Sequence, residues 1–249
     1  EYLERIRKHD RNLGAFIDVY EEEARKAAAA SDMARASGHI IGPLQGLPVA
    51  VKDIIDIEGK ITTGGSMVWK DRRSTLTATL VRRMVEAGMI VLGKTHTVEF
   101  AMGSFGTNQH MGSPKNPWDL EEHRATGGSS AGTAAAVAAG LSPWGIGTDT
   151  GGSVRIPSAW CGLTGLKTSV GRISTHGVLP LSHTLDTPGP MCRSVEDAAI
   201  LYRILAGPDE QDSRTVIHSV EDPFPELKKG ICGFKLARVP DSELENVDS

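Results

Sequence analysis

A three-layer α/β/α fold, with helices covering a central mixed, largely parallel sheet, is what this sequence predicts. Three observations carry that expectation. Apolar residues alternate along the chain between helical and strand periodicity, as they do when helices pack on a sheet. The 249 residues are 39% hydrophobic and 23% charged, the balance of a globular chain with core enough for one large domain. Glycines punctuate the changes of period, at Gly38, at Gly88 and in two Gly/Ser segments further on.

Residues 15–37 are rich in Ala, Glu, Lys and Arg and stop at Gly38, which predicts a long amphipathic helix. LPVAVKDIIDI follows as a β-branched, buried strand that puts Lys52 near its end or just beyond. Ser74 stands where it can cap a helix over TLTATLVRRMVEAG, and Gly88 leads into the strand MIVLGKT. Residues 103–128 are polar and interrupted by Gly and Pro, and read as loop. Ser129 or Ser130 then opens a small-residue helix, SSAGTAAAVAAG, suited to close packing against a sheet. Residues 143–149 predict a strand, TGGS a sharp turn, and VRIPSAWCG a short helix. Ser194 caps SVEDAAILYRILAG, which aligns Val195, Ala198, Leu201, Tyr202 and Leu205 on one face. FKLARVP reads as one more strand without a covering helix, so the chain is expected to be one domain over residues 1–249, incomplete at its C-terminal end.

The bulk properties exclude several classes. No stretch approaches the ~18 apolar residues of a membrane span, and EYLERIRKHD lacks the apolar core of a signal peptide, so a cytoplasmic location is expected. A net charge of −4 with no long basic cluster argues against direct nucleic-acid binding and for a small-molecule substrate. Cys161, Cys192 and Cys232 are widely spaced and form no CxxC pair, and they read as reduced packing residues.

Chemistry concentrates in GGSSAGT (residues 127–133) and GTDTGGSVR (residues 147–155). In the second, Ser153 follows two glycines at a turn into a helix. The backbone N–H groups of Thr150, Gly151, Gly152 and Ser153 converge there as an oxyanion hole. By itself the segment is equally a plain strand-to-helix turn. A serine nucleophile needs a base, and none of the eight histidines stands in a motif that pairs with this turn. Serine and lysine do recur beside the glycines, as Ser129, Ser130 and Lys52. A lysine base must lose about three pKa units, or ~4 kcal/mol, to be neutral near pH 7, and burial has the right sign and size. A strand-end lysine more commonly snorkels to solvent.

Taken together, GLPVAVKDIIDIEG, NPWDLEEHRATGGSSAGTAAAVAAG and GIGTDTGGSVRIPSAWCGLTGLKTS resemble the amidase signature family, and the likeness extends from FAMGS to LDTPGPMCRSVEDAA. The resemblance covers most of the chain from Gly42 onward and implies a catalytic core over residues 42–249, preceded by a helical part at 1–38. It implies Ser153 as nucleophile, Ser129 as a bridging serine preceded by a cis peptide bond, and Lys52 as base. Ser130 follows as a hydrogen-bonding support, Asp149 and Arg155 as holders of the turn, and Met102, Gly103 and Ser104 as substrate-binding positions. Ala131 and Thr168 depart from the family's usual glycine and proline without touching these positions.

The implied reaction is hydrolysis of a carboxamide, carbamate or ester-like bond through a Ser153 acyl-enzyme, with no metal or organic cofactor and with a homodimer as a plausible assembly. The glutaminase subunit of an aminoacyl-tRNA amidotransferase is the main alternative. G-x-S-x-G over residues 128–132 also admits an α/β-hydrolase with Ser130 as nucleophile, although the polar, proline-broken residues before it do not read as a strand. An anion-binding module is weaker still, because neither glycine segment completes a phosphate-loop motif.

Overall fold

The computed structural model describes residues 1–215, 220 and 222–243. In chain order the elements are α1 (Tyr2–Leu13), β1 (Phe16–Val19), α2 (Glu21–Ala36), β2 (Pro48–Lys52), α3 (Thr79–Glu86) and β3 (Ile90–Thr95). Then come α4 (Ala131–Ala138), β4 (Trp144–Asp149), α5 (Arg155–Trp160), β5 (Thr164–Gly165), β6 (Thr187–Cys192), α6 (Val195–Leu205) and α7 (Phe224–Leu227). The strands form one sheet in the order β1-β3-β2-β4-β6-β5. β3, β2 and β4 run parallel at its centre, whereas β1 and β6 pair antiparallel with their neighbours, as does β5 with β6. The α/β architecture is the one expected, with antiparallel pairing toward both edges.

Alternation along β2 sorts the two faces. Val49 and Val51 pack with Leu80 and Met84 of α3 and Leu201 and Leu205 of α6. Ala50 faces the other way, into a cluster with Leu13 of α1, Ala24 of α2 and Ala135 and Ala136 of α4. Helix α4 reaches the sheet because β4 is bare beneath it. A Cβ on Gly145 would lie 2.5 Å from the Thr133 methyl, and one on Gly147 would lie 2.6 Å from Ser130 Oγ. Small residues on both partners therefore set the helix start directly over the strand ends.

Three expectations need correction. Residues 15–37 are not one helix: Gly14, at φ 64°, ends α1, and the Asp10 carboxylate takes the N–H groups of Ala15 and Phe16 and turns the chain into β1. β1 then pairs with β3 across Gly93, where a Cβ would collide with the Asp18 carbonyl oxygen. Ser74 caps nothing. Its hydroxyl bonds Asp56 and Thr62, and α3 begins at Thr79 after Ala78. FKLARVP carries no strand: residues 234–240 are irregular and exposed, and among the described residues none pairs with them as a strand.

β6, TPGPMC, carries Pro188 and Pro190, residues that argue against a central strand. Its geometry resolves the conflict. The Pro190 carbonyl accepts from Leu166 N–H on the β5 side, so both proline nitrogens face away from β4 and no rung of that ladder is lost. The capped helix at Ser194 is as expected, its hydroxyl accepting from Asp197 N–H at 3.1 Å. Cys161 and Cys192 are buried free thiols and Cys232 an exposed one. Among the described residues no helix is long and apolar enough to cross a membrane.

Candidate active site

The C-terminal ends of β2 and β4 and the N-terminus of α4 meet at one point. Lys52, the last residue of β2, is wholly buried there. Its Nζ donates to Ser129 Oγ at 2.8 Å and to Thr148 Oγ1 at 2.9 Å. Burial pushes the Lys52 amine down to about 7, against the pull of Asp149 and Asp186 in the opposite direction. The lysine therefore does not snorkel.

Ser129 follows a cis peptide bond from Gly128. Its carbonyl accepts from Val98 N–H and Thr97 Oγ1, which fixes the backbone that carries the hydroxyl. Ser130, the N-cap of α4, spends its side chain on β4, accepting from Thr148 N–H and donating to the Thr148 carbonyl. That hydroxyl is committed to structure, and loop rather than strand precedes it, so the elbow reading with Ser130 as nucleophile fails.

After β4 the glycine-rich turn wraps around Asp149. Its carboxylate accepts from the N–H groups of Gly152, Val154 and Arg155 and pairs bidentately with the Arg155 guanidinium at 2.9 and 3.1 Å. Burial raises the Asp149 carboxyl, but the bonds from Arg155 and the backbone N–H groups outweigh it and hold the group below the usual carboxylate range. Gly152 N–H is thus occupied, a correction to the four-donor turn. Among the described residues, those of Thr150, Gly151 and Ser153 donate to no protein acceptor.

Ser153 is half-buried, and its carbonyl accepts from Ser130 N–H at 3.3 Å, tying the two Gly/Ser segments together. Its hydroxyl forms no hydrogen bond among the described residues. Met102, Gly103 and Ser104 are exposed at the loop that leads to Ser129, where the Ser104 carbonyl accepts from Gly128 N–H. Just before them Phe100 and Ala101 adopt φ 49° and 61°, a costly left-handed pair held by bonds to Gly64 and Val98. Thr148 and Asp186 contribute to the site without having been singled out in the sequence. Thr148 stands beside Asp149 in GTDT, and Asp186 opens DTPGP.

Two other features lie apart. A groove of about 700 Å³ is bounded by Tyr20, Ala24, Ile57, Val85 and Met89, and none of Lys52, Ser129 and Ser153 lines it. On the Val51 side of the sheet a second buried lysine, Lys94, reaches Asp53 at 3.3 Å and Thr62 at 2.8 Å. Among the described residues no group of three or more His, Cys, Asp or Glu side chains is arranged to hold a metal ion.

A buried lysine bonded to a serine on a cis peptide, beside a glycine-rich turn on a mixed α/β sheet, has the features of an amidase signature protein. The chain belongs to that family: the Amidase family model matches residues 1–248. A glutamyl-tRNA(Gln) amidotransferase subunit from Chromohalobacter salexigens is 46% identical over 234 residues, covering 94% of this chain and 48% of the relative. The chain spans about half the length of the curated relatives it matches.

Among solved structures, one described as a vestigial complex bearing on the origin of an s-triazine catabolic enzyme superposes with a TM-score of 0.89. It is 40% identical and covers 93% of this chain and 50% of that one. The peptide amidase of Stenotrophomonas maltophilia gives 0.82 at 40% identity, over 89% of this chain and 47% of its own.

Proposed function

We propose that the chain carries the catalytic centre of a serine amidase that hydrolyses a small-molecule carboxamide through a Ser153 acyl-enzyme. The observation that supports it most is Lys52: a buried amine, brought down by burial to about 7, in hydrogen-bond contact with Ser129. Neutral Lys52 takes the Ser129 proton while Ser129 takes that of Ser153, whose Oγ attacks the carbonyl carbon. The oxyanion then faces the free N–H groups of Thr150, Gly151 and Ser153, with Asp149 and Arg155 keeping the turn in shape. The proton returns through Ser129 to the leaving amine, and water enters by the same relay to release the acid. Met102, Gly103 and Ser104 border the approach to the substrate.

In this reading residues 1–249 are one domain, the enzyme works in the cytoplasm, and a homodimer is compatible with it. The test is hydrolysis of a panel of amides, esters and carbamates by the full-length protein. Lys52→Ala and Ser153→Ala are each expected to abolish turnover, and activity retained in both rules the proposal out.

The curated relatives' name favours a second reading, in which the same centre releases ammonia from glutamine for a tRNA amidotransferase. Ammonia release that requires the other components of such a complex distinguishes it from a free-standing amidase.

A further inference from the structure

We infer that Asp186 is a positioning residue of this site: its carboxylate ties the loop over residues 181–186 to the glycine-rich turn through Thr150 and gives Lys52 a negative neighbour that no cation hydrogen-bonds. The inference rests on the serine–lysine reading above. Asp186 is 7% exposed. Its Oδ1 accepts from Thr150 Oγ1 at 2.5 Å, and its Oδ2 from the N–H groups of Leu181 and Ser182 at 2.8 and 3.0 Å. The next residue continues the seam, Thr187 Oγ1 donating to the Asp149 carbonyl at 2.9 Å. Two successive side chains therefore grip the two residues at which β4 gives way to the turn, and one of the free N–H groups belongs to Thr150.

Charge distinguishes Asp186 from its neighbours. Two carboxylates act on Lys52 and favour its protonated form, Asp149 and Asp186. Asp149 is matched by Arg155, and across the sheet Asp53 is matched by Lys94. His96, beyond β3, is buried in a setting that disfavours its charge. α4 offers only hydroxyls at its start. Asp186 accepts hydrogen bonds from neutral donors alone among the described residues, and of the charged and titratable groups that line the cavity beside it, His176, His183, Asp212 and Arg214, the arginine is already paired with Asp212. Burial thus opposes Asp149 and Asp186 together, and the balance sets the pH at which the amine becomes a base.

A fluorophosphonate probe tests this without knowledge of the natural substrate. Ser153 Oγ bonds to phosphorus, fluoride leaves, and the hydroxyl proton passes through Ser129 to Lys52. The labelling rate of the full-length protein, followed from about pH 5 to about pH 9, rises as Lys52 loses its proton. Asp186→Asn removes the charge and keeps one acceptor, and the midpoint of its profile is expected to fall by about one pH unit. Thr150→Val keeps the charge and removes one bond, and is expected to slow labelling about tenfold at an unmoved midpoint.

An Asp186→Asn profile with the wild-type midpoint, however slow, leaves only a structural role and overturns the inference. Should that variant fail to fold, Thr150→Val labelling at the wild-type rate overturns it instead. Labelling of Ser153→Ala as fast as wild type would sink the underlying serine–lysine reading, an outcome separate from either.

Discussion

Lys52 meets two opposed demands. Moving its amine from 10.5 to about 7 costs the folded state about 5 kcal/mol at and below neutral pH, because the unfolded lysine keeps its proton freely. Between those two values the unfolded chain binds the extra proton, so stability rises as pH is raised through that window. Lys52→Met is expected to raise Tm at pH 7 by roughly 2–6 °C in a thermal melt while lowering turnover about 1,000-fold or more. In the wild type, kcat/KM is expected to fall about tenfold per unit as pH drops below about 7, and a flat profile down to pH 5 excludes a lysine base. The Lys52–Ser129 contact was legible through the resemblance of AVKD and GGSS to the family's segments, since a strand-end lysine taken alone more commonly snorkels. Thr148 and Asp186 were not, since Thr148 meets Lys52 from another strand and Asp186 meets Thr150 of a turn 36 residues away in sequence. Nor does spacing reveal that Asp149 occupies Gly152 N–H, because which N–H of a turn meets a carboxylate depends on how the turn closes.

Strand β4 and helix α4 are the elements on which the site stands, and their glycines are not equivalent. Gly147 lies under Ser130 and Met191, and an added Cβ would come within 2.6 and 2.8 Å of them. Gly151, at the turn, has no atom within 4 Å of the same position. Gly147→Ala is expected to cost about 1–3 kcal/mol in urea unfolding and to displace Ser129, while Gly151→Ala stays within about 1 kcal/mol of wild type. Most elements followed from periodicity, including the small-residue helix α4 and the capped helix α6. β6 was hidden because its prolines oppose a central strand until the neighbour on each edge is known. β1 was hidden because four residues between two helices carry too little alternation to interrupt them.

At the scale of the molecule, charges buried on opposite faces of the sheet are handled differently. Lys52 has no ion-pair partner among the described residues and burial brings it down to about 7, whereas Lys94 and Asp53 neutralise each other, burial lowering the lysine and raising the carboxyl while their mutual attraction opposes both. Lys94→Met alone leaves a buried carboxylate without its cation and is expected to cost about 3 kcal/mol. The Lys94→Met/Asp53→Asn double variant is expected to recover much of that loss in a denaturant double-mutant cycle, and strict additivity would show the pair is not coupled. The three sulfurs divide in a similar way. Burial lifts the Cys161 thiol to about 12 and raises that of Cys192 as well, so neither supplies thiolate at neutral pH, while Cys232 stands in the open. Iodoacetamide added to the native chain should alkylate one sulfur quickly, and each carbamidomethyl group gained later marks a core that has opened. Mass spectrometry over time thus turns two silent cysteines into a clock for global unfolding, readable without any substrate.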